Sequence, residues 1–410
     1  MSFLRRAAAA LLLTALAVQP ALARPRPALK VERVFLLYRH GVRAPLDGEA
    51  AIQAYRHPPL PRWSTPESLL TPHGAEALRR LGAWQRQEFA AAGLLPARGC
   101  PAAGQLAIWT NTVNRTITSG QALADGVAPG CSVPIGHLAA DAHDPLFEPL
   151  EAGAVPFDAN AAVADILRYT GGATGIARPH AAAIRTFENI LGCDTGPKPC
   201  DILNAPGEIA ASADGKGIRM SGPIDITSGT AQVFLLQYLE GMPLAQVGWG
   251  RATPARLAEI SRLHALLFDV HVRSPYMAPR IAGPMARRLL AALTAPDGAA
   301  VTLLVGHDNN IAALASLVRT HFQIPGYGRD DPPPGGAIGF ELVREGWNGP
   351  QYVRAFYEAA TPIQIRDLTR FGGTMRPARM PLTMGLCDPQ RTGRCTLEAF
   401  TRALENVLVG

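Results

Sequence analysis

The spacing of apolar positions along the chain predicts strands that alternate with helices. An apolar run from Val31 to Tyr38 has the hydrophobic density of a buried strand, and Val301 to Val305 is a second run of this kind. A helix is predicted from Thr71, which caps it ahead of a proline, to Ala92. Further helices are predicted over 159–169, 181–191, 224–240, 256–272, 285–293, 311–318 and 397–407, and further strands over 106–109, 338–343 and 352–357. This alternation is typical of an α/β protein.

Charged side chains follow both buried strands. The first strand ends in Arg39-His40-Gly41-Val42-Arg43, which we expect to face the crevice at the carboxyl end of the sheet, where ligands bind. Two guanidiniums match the oxygens of a phosphate dianion, and they disfavour the protonated form of His40. The second strand ends in Gly306-His307-Asp308, where Asp308 is either a site residue or only the N-cap of the next helix. A solvated basic turn after a core strand is the alternative interpretation of the first run.

A third arginine lies where a helix is predicted to begin. Arg115 follows the strand over 106–109 and falls in the first turn of a helix that runs towards Ala124. A cation is unfavourable at that end of the helix dipole, so its presence is better explained if an anion binds there. A solvent-facing arginine is the alternative.

Two separate motifs resemble the signatures of a known family. Residues 39–45 read Arg-His-Gly-Val-Arg-Ala-Pro and resemble the RHGxRxP signature of the histidine acid phosphatases, the branch that includes bacterial periplasmic phytases and glucose-1-phosphatases. The apolar strand that ends in His307-Asp308 resembles the second signature of the same family. The likeness extends in order to Leu70-Thr71-Pro72-His73-Gly74, Phe234-Leu235-Leu236-Gln237, Glu240-Gly241-Met242-Pro243 and Pro333-Pro334-Gly335-Gly336.

The resemblance implies a fold and a division into domains. The fold is a phosphoglycerate mutase-like three-layer α/β/α domain with a smaller, mostly helical insertion. The length of the chain also favours two domains. We therefore expect a catalytic α/β domain over 24–150 and 261–410, with a helical cap over 151–260.

The resemblance also implies a mechanism. His40 attacks phosphorus and becomes a phosphohistidine, while Arg39, Arg43, Arg115 and His307 hold the phosphoryl oxygens. Asp308 protonates the leaving alcohol and then deprotonates the water that hydrolyses the intermediate. No cofactor or metal is implied.

The expected substrate is a phosphomonoester, with phytate favoured and sugar phosphates next. Relatives often carry an acidic residue near the substrate pocket at the position that Gln232 occupies here, so the preference is open. An acidic pH optimum is expected because Asp308 must be protonated. Nearby cations lower the pKa of Asp308 and burial raises it, and the sequence leaves the balance open.

The start of the chain predicts export. Arg5 and Arg6 precede an apolar segment from Ala7 to Val18, and Ala21-Leu22-Ala23 is typical of a signal-peptide cleavage site. Its removal takes away two arginines and no acidic residue, so the formal net charge falls from +6 to +4. We expect a periplasmic or secreted protein, not anchored in a membrane, and this charge does not indicate a partner that is a nucleic acid.

Six cysteines in an exported chain indicate disulfides. They are Cys100, Cys131, Cys193, Cys200, Cys387 and Cys395. Six cysteines allow fifteen pairings. Sequence neighbours suggest Cys100–Cys131, Cys193–Cys200 and Cys387–Cys395, and the family resemblance points the same way. Each bridge is expected to stabilise the fold by about 2–4 kcal/mol. A zinc site is the rival interpretation, but no Cys-x-x-Cys or close Cys/His pair is present.

Two other classes of function stay open. In a metal-dependent phosphohydrolase, His307 and Asp308 would be ligands together with scattered histidines, and Asp141, His143 and Asp144 form a weak candidate cluster. A phosphate or inositol-phosphate binding protein would bind without turnover. The remaining histidines of the predicted helices, His73, His264 and His271, are interpreted as structural.

Overall fold

The structure is a computed structural model that describes residues 29–409 except 51, 53–54, 56–58, 141, 194–197 and 199. The predicted signal peptide lies outside the described residues. None of the described helices is both long and apolar enough to cross a membrane.

A mixed sheet of eight strands forms the centre of the molecule. The described residues form ten strands, in chain order β1 (Leu29–Arg39), β2 (Leu106–Thr110), β3 (Ile135–Gly136), β4 (Ile209–Ala211), β5 (Ile218–Met220), β6 (Val301–Gly306), β7 (Ala337–Glu345), β8 (Gln351–Ala359), β9 (Ala378–Leu382) and β10 (Cys395–Thr396). The order across the sheet is β10-β8-β7-β1-β6-β2-β3, with β9 also paired to β8, and β4 and β5 form a separate hairpin. β1 pairs in parallel with β6 and antiparallel with β7, so it lies where the parallel half of the sheet meets the antiparallel half.

Eleven α-helices accompany the strands in the described part of the chain. They are α1 (Pro72–Ala91), α2 (Asn114–Val127), α3 (Ala159–Thr170), α4 (Gly172–Ala177), α5 (Ala181–Leu191), α6 (Pro223–Leu239), α7 (Pro254–His271), α8 (Met277–Thr294), α9 (Asp308–Leu317), α10 (Pro362–Arg366) and α11 (Leu397–Val409). Thr71 caps α1, since its side chain accepts a hydrogen bond from the backbone N–H of Gly74.

Side chains of β1 alternate between two apolar cores. Phe35 and Leu37 belong to one core, with side chains of α8, α9 and α11, whereas Leu36 and Tyr38 belong to the other, with side chains of α1 and α2. A strand buried on both faces reads as a continuous apolar run. The layered mixed α/β fold is therefore confirmed.

Two helices begin earlier than their patterns predict. α8 begins at Met277 rather than Met285 and passes through Pro284, a residue that usually marks a helix boundary. α9 begins at Asp308 rather than Ile311, and its N-cap is His307. Asp308 is therefore the first residue of the helix, and the interpretation of Asp308 as an N-cap is wrong. The two-residue strands β3 and β10 were not predicted because so short a segment has no readable period.

Helices α3 to α7 lie between the two halves of the sheet in sequence. α6 and α5 both pack against α7, and the core that contains Phe35 continues through these helices to Phe187 and Phe234. The insertion over 151–260 stays a prediction, and its end at residue 260 falls inside α7.

The three predicted disulfides are present. Their Cα–Cα distances are 5.6 Å for Cys100–Cys131, 5.2 Å for Cys193–Cys200 and 5.8 Å for Cys387–Cys395. The zinc interpretation is therefore wrong.

Candidate active site

Backbone hydrogen bonds hold the turn after β1 from both sides. The N–H of His40 donates to the carbonyl of Gly306 at the end of β6, over 3.0 Å. On the other side, the N–H of Arg39 donates to Gly336 and the N–H of Gly335 donates to the carbonyl of His40, over 2.9 and 3.0 Å. The Pro333-Pro334-Gly335-Gly336 motif thus supports the turn. The residues predicted from the two signatures meet at this edge of the sheet.

The start of α1 packs against the same turn. The N–H of Thr71 donates to the carbonyl of Val42 over 3.0 Å. A Cβ at Gly74 would lie 2.3 Å from that carbonyl oxygen, so only glycine fits there. The Leu70–Gly74 motif therefore belongs to the support of the turn. His73 points elsewhere, since its Nε2 donates to the carbonyl of Ile365 over 2.9 Å, as in a structural histidine.

His40 is buried and its ring orientation is fixed. Its Nδ1 lies 2.9 Å from the carbonyl oxygen of Gly41, which can only accept, so Nδ1 carries the proton and Nε2 keeps its lone pair. Burial, followed by Arg39 and Arg43, holds the pKa of His40 well below its usual value. The ring is therefore neutral in mild acid.

Arg39 joins the two signatures. Its side chain is fully buried, and Nη1 donates to the carbonyl of Pro332 over 2.7 Å. Nη2 lies 2.7 Å from Oδ2 of Asp308. The arginine that precedes the histidine of the first motif thus contacts the carboxylate of the second.

Arg43 is held by an acidic residue that the sequence patterns did not reveal. Both of its terminal nitrogens bond Glu49, with Nη1–Oε2 at 2.7 Å and Nη2–Oε1 at 2.8 Å. Burial raises the pKa of Glu49, but the hydrogen bonds from Arg43 outweigh it and the net pKa is lowered. Glu49 lies in an irregular segment, where no period marks it.

Arg115 lies in the first turn of α2, as predicted. Burial, and then the charge of Arg43, lower its pKa to about 10. Among the described residues, the Nε atoms of Arg39, Arg43 and Arg115 are buried and have no hydrogen-bond partner. Buried donors of this kind are costly unless a ligand satisfies them, so they suit an anion.

His307 lies beside His40, with ring centroids 5.5 Å apart. Its Nε2 is 2.9 Å from the amide nitrogen of Asn111, whose oxygen accepts from the N–H of Thr112. The amide nitrogen is therefore a donor, and Nε2 of His307 accepts. Burial and Arg115 lower the pKa of His307 to about 3. Asn111 was not predicted, because a single asparagine after a strand has no distinctive pattern.

The carboxylate of Asp308 is strongly favoured in its ionised form. Burial raises its pKa, but Arg39 and then His264 outweigh burial, so the pKa is well below its usual value. This result settles the balance that the sequence left open. His264, which we interpreted as structural, has its Nε2 3.6 Å from Oδ2 of Asp308 and its Nδ1 2.7 Å from Oδ1 of Asp331.

The weak metal cluster of the loop after α2 is used otherwise. His143 pairs with Glu148, and Asp144 accepts from the indole N–H of Trp109, while Asp141 lies outside the described residues. No group of three metal-ligating side chains is found in the part of the chain that the structure describes.

Comparison with known proteins identifies the family. The profile of the histidine phosphatase superfamily (branch 2) matches residues 30–174. Phytase AppA of Escherichia coli is 34% identical over 97% of this chain and 96% of its own. A glucose-1-phosphatase of Salmonella typhimurium is 27% identical over 92% of each chain.

The fold agrees with solved structures of phytases. Hafnia alvei phytase, solved in complex with myo-inositol hexakis sulphate, superposes with a TM-score of 0.85 and 27% identity over 93% of this chain and 97% of its own. Both predicted signatures lie at one edge of a sheet in the same fold. The chain therefore belongs to branch 2 of the histidine phosphatase superfamily and is a histidine acid phosphatase, an enzyme that hydrolyses phosphomonoesters.

Proposed function

We propose that the enzyme works through a phosphohistidine on His40 and that inositol phosphates, phytate first, are its preferred substrates. The observation that carries the mechanism is the convergence of one neutral histidine, two buried arginines and one carboxylate at the ends of β1 and β6, with half-buried Arg115 beside them in the first turn of α2. Every group has a role in that mechanism, and none needs a cofactor.

His40 is suited to be the nucleophile. Because Nδ1 is bound to the carbonyl of Gly41, the free lone pair belongs to Nε2, and the ring stays neutral in acid. In the first step, Nε2 bonds to phosphorus while the bond to the leaving oxygen breaks. Arg39, Arg43, Arg115 and His307 are proposed to hold the phosphoryl oxygens, with the three buried Nε–H groups as available donors.

Asp308 is proposed as the acid and then the base. Its ionised form is favoured while its neighbours carry unbalanced positive charge. A phosphate dianion offsets that charge, so substrate binding raises the pKa of Asp308 towards the protonated form that donates to the leaving alcohol. Substrate binding thus prepares the acid.

Substrate preference rests on the relatives and on one buried amide. Gln232 in α6 is 1% exposed, and neither atom of its amide has a hydrogen-bond partner among the described residues. Gly229, one turn earlier, approaches the backbone of Glu49, which holds Arg43. We propose that Gln232 faces the substrate. Phytate is favoured because AppA and the Hafnia alvei enzyme are phytases, and sugar phosphates come second because of the glucose-1-phosphatases.

We also propose that the enzyme is exported. Three disulfides join all six cysteines, which suits an oxidising compartment such as the periplasm. The predicted cleavage after Ala23 is checked by N-terminal sequencing of the secreted protein.

The first prediction concerns the two chemical roles. We expect mass spectrometry to detect an alkali-stable phosphoenzyme on the wild type, and His40→Ala should abolish both this phosphoenzyme and turnover. Asp308→Asn should slow alkyl phosphates by about 10²–10⁴ but activated aryl phosphates far less, since an aryl alcohol leaves without a proton. Activity is measured from pH 3 to 9 with and without EDTA.

If Asp308→Asn slowed alkyl and aryl phosphates by the same factor, Asp308 would not be the acid. Loss of wild-type activity in EDTA would favour the metal-dependent alternative. Phosphate binding without turnover at any pH would favour the binding protein.

A further inference from the structure

A second carboxylate and a histidine stand directly behind Asp308. Oδ1 of Asp331, in the loop before β7, is 2.7 Å from Nδ1 of His264 in α7. Nε2 of the same ring is 3.6 Å from Oδ2 of Asp308. The side chains of Asp331 and His264 are 1% and 8% exposed. A carboxylate, an imidazole and a second carboxylate therefore follow one another from the core to the site.

Asp331 is unusual as a structural residue. It is buried, and its Oδ2 has no hydrogen-bond partner among the described residues. His264 is the partner of its other oxygen. A buried carboxylate with one partner is costly, and a purely structural role would be served better by an apolar pair. This arrangement indicates that Asp331 acts on His264.

The bond to Asp331 fixes which atom of His264 faces the site. The carboxylate of Asp331 accepts from Nδ1–H, so Nε2 is directed at Oδ2 of Asp308. Nε2 is therefore the atom through which the ring can exchange a proton with Oδ2 of Asp308. The distance of 3.6 Å is typical of catalytic contacts that tighten only when substrate binds.

The charged groups around this ring come from four parts of the fold. Asp331 faces Nδ1 and Asp308 faces Nε2. Glu49, from the loop after β1, interacts with His264 at longer range. Arg39 contacts the same oxygen of Asp308 that faces the ring. His264 and Arg39 thus approach one carboxylate oxygen, one with a transferable proton and the other with a fixed charge.

We propose that His264, oriented by Asp331, is a positioning residue that stores the proton used by Asp308. The inference rests on the proposed role of Asp308 as the acid. When substrate binds, the proton passes from Nε2 of His264 to Oδ2 of Asp308, and from there to the leaving oxygen as the P–O bond breaks and the bond from phosphorus to His40 forms. In the second step, the oxygen of the attacking water bonds to phosphorus as the bond from phosphorus to His40 breaks, and the proton of that water passes to Asp308 and back to Nε2. No proton is gained or lost over the cycle.

The test compares the effect of one substitution on two substrates, an alkyl phosphate whose leaving group needs a proton and an aryl phosphate whose leaving group does not. His264→Gln keeps a polar side chain of similar reach that cannot carry the proton. We expect kcat on glycerol 2-phosphate to fall at least tenfold and kcat on p-nitrophenyl phosphate to fall less than threefold. The alkaline limb of the kcat profile on glycerol 2-phosphate should move to lower pH, since the stored proton is lost. Asp331→Asn, which preserves shape, should change both readouts in the same direction but less.

A neighbouring pair supplies the matched control. His321 and Asp330 form a His–Asp pair of the same type at 2.6 Å, anchored in the same loop, and no contact joins the described atoms of that pair to Asp308. His321→Gln should leave both substrates at the wild-type rate. Thermal unfolding of each variant checks the fold.

The outcomes separate two failures. If Asp308→Asn discriminates between the substrates but His264→Gln and Asp331→Asn slow both equally or neither, the proton-storing role is refuted and the proposed function stands. If Asp308→Asn itself does not discriminate, the proposed function fails, and this inference fails with it.

Discussion

Three arginines surround one histidine in this site, and the residues beside them decide how their charge is used. Arg43 is neutralised by Glu49, whereas Arg39 shares its charge with Asp308. Arg115 is the one of the three whose pKa burial lowers to about 10. The site therefore contains an excess of positive charge, which adds to burial in keeping His40 neutral and which keeps Asp308 ionised until a dianion enters.

A buried amide offers a prediction at the residue scale. Gln232→Leu removes two unsatisfied polar atoms and keeps a similar side-chain volume. The free energy of unfolding should therefore rise by about 1 kcal/mol or more, and the variant should unfold at higher temperature. If the amide faces substrate, KM for phytate should rise at the same time. Calorimetry and steady-state kinetics measure the two effects.

Gln237→Leu is the matched control on the same helix. Its Oε1 accepts from the N–H of Gly248 over 3.0 Å, so its replacement should destabilise the protein. A Gln232→Leu variant that loses stability as Gln237→Leu does would show that the amide is satisfied inside the protein.

At the residue scale, the sequence predicted the side chains that are proposed to act on the phosphate. It did not reveal the neighbouring side chains that hold them in place by hydrogen bonds. Arg39, His40, Arg43, Arg115, His307 and Asp308 follow strand ends or open a helix, where a pattern marks them. Glu49 and Asn111 lie in irregular segments, and Asp331 lies in a Pro-rich loop, so only tertiary contact reveals them. His264 was expected to be buried and structural, but its neighbour is Asp308.

At the scale of elements, the site depends on close approach between α1 and the turn after β1. The carbonyl of Val42 accepts from Thr71, and the first turn of α1 then passes within contact of the same carbonyl at Gly74. Val42 lies between His40 and Arg43. A displacement of α1 is therefore transmitted to the nucleophile and to one of the arginines.

Gly74→Ala should impair catalysis through this contact. Its Cβ would lie 2.3 Å from the oxygen of Val42, where backbone rather than a flexible side chain must move. We expect a loss of about 1–3 kcal/mol in stability, typical of overpacking, and at least a tenfold fall in kcat/KM on p-nitrophenyl phosphate. Urea unfolding and kinetics provide the measurements.

Gly217→Ala is the control, because any replacement of glycine by alanine changes the backbone entropy of the unfolded chain. A Cβ there would be 3.6 Å from the nearest atom, an ordinary contact. Wild-type kinetics in Gly74→Ala would mean that the turn tolerates the shift and that α1 does not position it.

The strands and helices that the sequence predicted are those whose period is set by burial on one or two faces. β1 and β6 were found because both are buried on two faces, and α3, α5 and α7 because their apolar residues recur with helical spacing. The extension of α8 through Pro284 was not predicted, because tertiary packing outweighed the tendency of proline to mark the end of a helix. The pairing of β1 with β6 and β7 was not predicted, because no property of β1 alone determines its neighbours.

At the scale of the whole molecule, buried histidines oppose the acidic conditions in which the enzyme is expected to work. Burial lowers the pKa of His271, at the end of α7, to about 4. A folded pKa below the unfolded value of about 6.5 means that the unfolded chain binds more protons. The stability contributed by neutral His271 is therefore complete above pH 6.5 and is lost as pH falls towards 4.

His271→Gln should flatten this dependence. The variant should lose less stability than the wild type between pH 7 and pH 4, by up to about 3 kcal/mol, because one pKa unit corresponds to about 1.4 kcal/mol. Denaturant unfolding at a series of pH values measures the slope. The exposed His137→Gln serves as control, and an unchanged slope in His271→Gln would assign the acid sensitivity to other groups.

The position of β1 in the sheet has a consequence for synthesis. β1, which ends at Arg39 just before His40, precedes the other described strands in the chain, yet its two neighbours, β6 and β7, lie at 301–306 and 337–345. A growing chain therefore exposes both edges of this apolar strand until most of its length has left the ribosome, and pairing over such a separation is slow. The catalytic sheet therefore cannot be completed before β7 has been made. Such a delay suits the export proposed above, because a translocation channel accepts an unfolded chain.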